Sequence, residues 1–154
     1  MTIGVPGNER FEGVVRDHLQ PLLSDLSALS LHGKQAHWHL TGRDFLPVHA
    51  QLDQIVGDAR TWADDVAERA VTLGFPVDGR PGAVAASRLP STPDGFVDGD
   101  KALRATEQQL AAVVETARNG LAELGEIDPV TQDLVIGILH GLEKHLWMVQ
   151  AQLA

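Results

Sequence analysis

The sequence predicts an all-α chain folded as a four-helix bundle, with a long crossover carrying a short helix between helices two and three. Three observations lead there. Apolar residues recur at three- and four-residue steps in four long stretches, no alternating run reads as a strand, and the segment from Gly74 to Asp98 is rich in Gly and Pro. At 154 residues the chain suits one domain, residues 1–154, with residues 1–8 a flexible N-terminal segment.

The first helix is expected from about Asn8 to Leu40, its apolar stripe formed by Leu19, Leu22, Leu23, Leu26 and Leu29. Pro21 lacks an N–H and should kink it or begin a new helix. Asp44 is placed to cap the second helix, and Pro47 suits its first turn. The stripe then runs through Val48, Leu52, Ile55, Ala59, Trp62, Val66 and Ala70 to a stop at Gly74 and Pro76. Within the crossover only Gly82 to Arg88 can make a short helix. The third helix is expected from about Gly99 to Leu124 and the fourth from about Pro129 to Leu153, both amphipathic. A short link, a long crossover and another short link give an up-down-down-up bundle.

Composition narrows the function. There is no cysteine, so disulfides, thiolate metal sites and a cysteine nucleophile are excluded, and any metal ligands must be imidazole or carboxylate. Twelve Lys and Arg against 21 Asp and Glu give a formal charge of −9, which repels phosphate backbones and attracts cations. No basic, apolar leader and no run of about 18 apolar residues occurs. The expected compartment is therefore the cytoplasm, with no membrane association.

The second helix carries His49, Asp53, Asp64 and Glu68. At about 100° per residue they lie at roughly 0°, 40°, 60° and 100° from His49, one stripe of ligand-type side chains. His49 with Asp53 and Asp64 with Glu68 are each spaced i, i+4, so each pair can converge on one ion. A solvated polar face would look the same for either pair alone. Asp53 and Asp64 are separated by a rise of about 16 Å, whereas ligands must approach a small divalent ion to about 2.0–2.2 Å. This helix in one chain cannot close the site. Two copies crossing antiparallel about a two-fold axis near Gly57 and Asp58 would bring the pairs together twice. His37, near the end of the first helix on the face of Leu22 and Leu26, is a candidate fifth ligand; it also reads as an ordinary core histidine. No Glu-x-x-His motif exists to build a site inside the bundle.

Lys34-Gln35-Ala36-His37-Trp38-His39, then Phe45, Val48-His49, Leu52-Asp53, Asp64-Asp65-Val66-Ala67-Glu68-Arg69-Ala70 and Leu73-Gly74 closely resemble the signature of the Dps proteins, mini-ferritins of the ferritin-like superfamily. Gln132-Asp133-Leu134 and Leu142-Glu143-Lys144 through Trp147 look like that family's fourth helix. The resemblance implies a hollow dodecamer of tetrahedral symmetry. It also implies a ferroxidase centre formed by His37, His49 and Asp53 of one subunit with Asp64 and Glu68 of its two-fold mate. That centre would take two iron ions, oxidise Fe(II) with hydrogen peroxide in preference to dioxygen, and deposit ferric iron inside the shell. This chemistry would protect against oxidative stress.

Mixed imidazole and carboxylate ligands suit iron in both oxidation states, although zinc and other divalent ions could substitute. Trp38 and Arg69 are candidates for a supporting layer around the ligands, each with a plainer alternative as packing or a surface charge pair. Glu126, Asp128 and Asp133, with Glu123 nearby, cluster at the turn before the fourth helix and are candidates for an iron-entry pore. Asp128 could equally cap that helix. A DNA-coating nucleoid protein is the alternative function. Met1 to Glu9 contains no Lys or Arg, so DNA binding is expected to be weak or absent.

Overall fold

The computed structural model describes residues 4–6 and 8–154. Residues 1–3 and 7 of the expected flexible segment thus lie outside the described residues. Within it, Gly4 packs so closely that a Cβ there would stand 2.6 Å from the Gly74 Cα.

Four long helices form the bundle, as the periodicity predicts. The first is composite: a 3-10 turn over Asn8–Phe11, α1 (Glu12–Val14), a π turn over Val15–Leu19 and α2 (Gln20–His39). Pro21 stands in the first turn of α2, so a new α-helical segment begins there as expected. The π turn immediately before it lets the Gln20 N–H reach the Val15 carbonyl, one residue further back than in an α-helix, where Pro21 has no N–H to give. Next, α3 covers Phe45–Thr72. Asp44 stands at its N-cap but makes no capping hydrogen bond, and its carboxylate lies 3.6 Å from Arg43 instead. The helix closes with Gly74 at φ 97°, the left-handed conformation that glycine adopts freely after a helix end.

The crossover holds one short helix, α4 (Pro81–Ala85). It ends where Val97 forms an isolated parallel bridge with Leu40; Thr41 N–H donates to the Val97 carbonyl at 2.8 Å, and Val97 N–H donates to that of His39 at 3.0 Å. This ties the end of α2, where His37 sits, to the start of α5 (Gly99–Asn119). Asp98 caps α5 by accepting from the Lys101 N–H at 2.8 Å.

The third helix departs from expectation because it breaks at Gly120 and resumes as α6 (Leu121–Ile127). The His18 ring packs where a side chain at residue 120 would be, 2.6 Å from an ideal Cβ, and its Nε2 meets Glu123 Oε2 at 3.0 Å. Replacing Gly120 with Ala should therefore force that ring aside and cost about 1–3 kcal/mol. Thermal unfolding should show the loss, and adding His18→Ala should recover most of it. The last helix, α7, spans Pro129–Leu153.

Leu22, Leu26, Leu29, Leu52, Ile55, Leu110, Ile138 and Leu142 fill the centre of the bundle, each 2% exposed or less. The most extensive pairing is α2 on α3, and a Cβ on Gly33 would stand 2.7 Å from Val56 Cγ2. That proximity sets the spacing between the two helices that carry the candidate ligands. Among the described residues no helix is long and apolar enough to cross a membrane.

Candidate metal centre

His37, His49 and Asp53 converge. Each can offer one ligand atom within 4.8 Å of the other two, the only such three-residue group among the described residues. Two helices build it: His37 comes from the last turn of α2, and His49 and Asp53 are one turn apart on α3. The rings of His37 and His49 stack at 3.5 Å between centroids, with Phe45, one turn before His49, lying 4.7 Å from the latter.

The polar atoms are arranged for a ligand. His49 Nδ1 donates to the His37 carbonyl at 3.2 Å, which fixes the tautomer and leaves Nε2 with a free lone pair. His37 is 7% exposed, and neither ring nitrogen makes a hydrogen bond. Its Nε2 stands 3.0 Å from Asp53 Oδ2, but without the alignment of a hydrogen bond. A buried imidazole left in this state is costly in an ordinary core. A cation at the apex of the group would satisfy it, so the donor set fits a divalent metal ion.

Lys34, one turn before His37, reaches over to Asp53 and is the principal reason that the Asp53 carboxyl lies below the ordinary range, with His37 contributing less. The sequence reading gave Lys34 no role. The signal was available in its i, i+3 spacing from His37, which puts both on one helix face. An incoming cation must displace this ammonium, so Lys34→Met should bind Co2+ about fivefold more tightly. Titration of the metal-dependent absorption would measure the change.

Asp64 and Glu68 are exposed on the same stripe of α3 and are not part of this group. Within one chain the site therefore has three of its five candidate ligands. Trp38 is 66% exposed, with its indole outside the core. Arg69 turns away from Glu68: its Nε donates to Thr131 Oγ1 at 2.9 Å and its Nη2 to Asp128 Oδ2 at 2.7 Å. Thr131 also donates to Asp128, which is 6% exposed and makes no capping bond to α7. Burial works to raise the Asp128 pKa, but the Thr131 and Arg69 hydrogen bonds and the Arg69 charge outweigh it, so the group lies below its usual value. Glu126 and Asp133 stand exposed nearby.

Residues 16–154 match the ferritin-like domain. The chain is 37% identical over 153 residues to the DNA protection during starvation protein of Mycolicibacterium smegmatis, covering 97% of this chain and 82% of that one. The chain belongs to the Dps family. It is also 35% identical over 151 residues to DNA protection during starvation protein 2 of Deinococcus radiodurans, covering 97% of this chain but only 62% of that longer relative. The structure of Dps from Microbacterium arborescens in the high iron form superposes with a TM-score of 0.91 at 31% identity, with 99% of each chain covered. Membership in the Dps family, which is generally ferroxidase-capable, supports an iron-storage, mini-ferritin role for this chain.

Proposed function

We propose that this Dps protein oxidises Fe(II) with hydrogen peroxide at sites shared between two subunits and stores the ferric product inside a dodecameric shell. The observation that carries the reading is the half-built site. A buried histidine with two unbonded ring nitrogens, a second histidine with its tautomer fixed and a carboxylate meet in one chain. The remaining ligand-type pair, Asp64 and Glu68, stands exposed on the same stripe. An antiparallel two-fold pairing of α3 supplies Asp64 and Glu68 from the second subunit to each site.

Iron is the substrate. His37 and His49 bind Fe(II), and Asp53, Asp64 and Glu68 favour the ferric product because hard oxygen ligands do so. Five ligands suit two ions per site. Each Fe(II) gives up one electron, the O–O bond of one peroxide is cleaved, and two protons complete two waters. Delivering both electrons together avoids release of hydroxyl radical. Zinc or cobalt can take the same ligands without the redox step.

Glu126 and Asp133 line the entry route in this reading, while Asp128 acts by anchoring the start of α7 to Arg69. The cytoplasm is the compartment, and DNA binding is weak or absent because the net charge is −9. Stopped-flow oxidation with a spin trap tests the chemistry. Two Fe(II) consumed per peroxide with no trapped radical is the expected result; one Fe(II) per peroxide with radical release would refute it. The alternative, a DNA-coating protein, would show instead as stable retardation of DNA at low salt with little peroxide-dependent oxidation.

A further inference from the structure

We infer that the two-fold contact is held in register by Arg60 of each subunit crossing over Gly57 of the other; this rests on the shared-site reading above. Gly57 lies in the middle of α3, where glycine weakens a helix relative to alanine. Nothing in its own chain requires it: a Cβ at Gly57 would meet no atom within 4 Å, and the residue is exposed. A side chain at this position could be opposed only by another molecule.

The ligand spacing says what lies there. If His49 faces Glu68 of a second copy and Asp53 faces Asp64, the midpoint of the pairing falls between Asp58 and Ala59. The same register sets Arg60 opposite Gly57, once on each side of the axis. At about 100° per residue, Gly57 and Arg60 lie roughly 80° and 20° from His49, within the arc spanned by the four ligands. Arg60 is exposed and has no hydrogen-bond or ion-pair partner among the described residues. Its long side chain needs space across the contact, and Gly57 leaves it.

The surface beside this pair fits a second copy as well. Arg60 and Ala63 form one edge of an open groove of about 540 Å³ between α2, α3 and α4, lined also by Ala28, Leu31 and Val84. Leu31 is 60% exposed there. The groove and the proposed contact share Arg60, so a second copy seated over Gly57 lies at the groove's edge. Arg60 forms no hydrogen bond or ion pair with a candidate ligand of its own chain, and Gly57 has no side chain to do so; both act as positioning residues by setting which candidate ligands meet.

Exchange of the two side chains tests the contact. Gly57→Arg places Arg against Arg across the axis and should raise the concentration at which subunits pair by roughly tenfold or more, as sedimentation velocity would read. Arg60→Gly should weaken pairing by a smaller factor. The double variant Gly57→Arg with Arg60→Gly restores one large and one absent side chain at each contact. It should recover both pairing and the Co2+ absorption of the shared site, although no ligand has been changed in any of the three. If Gly57→Arg loses its helical circular dichroism, Gly57→Gln with Arg60→Gly carries the same comparison. A double variant that pairs no better than Gly57→Arg overturns the inference. If wild-type subunits pair and share their site while the exchange fails, only this register falls; if wild-type subunits share no site, the proposed function falls with it.

Discussion

Mixing His37→Ala subunits with Asp64→Ala subunits, each inactive alone, is expected to restore about a quarter of the wild-type rate of peroxide-dependent Fe(II) oxidation. The number follows from the geometry. In a mixed pair one site carries both defects and the other carries neither, because His37 and Asp64 of one subunit serve different sites. Random equimolar assembly makes about half of the pairs mixed, and half of the sites in those pairs are intact. Each variant by itself should lose about a hundredfold or more in rate, comparable with the larger losses seen when metal-site residues are removed. Subunits must be mixed before assembly, and an unmixed control measures any residual rate. A mixture no more active than its components would show that each chain completes its own site, against the rise of about 16 Å that separates the two carboxylates along the helix.

Arg69→Met is expected to produce the largest loss of stability, about 3 kcal/mol, because it leaves the nearly buried Asp128 carboxylate without its cation. The pH dependence has a definite sign. The Asp128 pKa is depressed in the folded chain. Its contribution is therefore fully present above the unfolded-state value of about 3.9 and is lost as pH falls through the lower, folded value. Wild-type protein should lose stability across that acid window. Asp128→Asn should be less stable at neutral pH and should show a shallower decline below pH about 4. Denaturant melts at several pH values would measure both slopes. Equal slopes would mean that Asp128 titrates alike in the folded and unfolded chains.

Helical periodicity made the bundle legible because an amphipathic stripe is a local property. The apolar steps through Val48, Leu52, Ile55 and Ala59 and those from Leu134 to Leu153 each specify a helix without reference to any other segment. Bounds set by Gly and Pro were also readable, since Gly74 and Pro129 act on their own neighbours, whereas the aspartates read as caps, Asp44 and Asp128, make no capping bond and Asp98 does. The break at Gly120 was not readable. It depends on His18, about a hundred residues away, lodging where a side chain would be. Arg69 illustrates the same limit: its spacing allowed a place beside Glu68 or on the surface, but Asp128 and Thr131 occupy its guanidinium across a gap of some sixty residues.

For the candidate site, the sequence by itself determined that His49, Asp53, Asp64 and Glu68 form one stripe of ligand-type side chains on α3 and that this helix alone could not gather them on one ion, because rise per residue is a constant of the helix. It left His37 undecided between core and ligand. Only the packing of α2 on α3 brought His37 against His49 and Asp53, removed its hydrogen-bond partners and set Lys34 on the same carboxylate. Those are consequences of where two helices touch, and no local pattern encodes that distance.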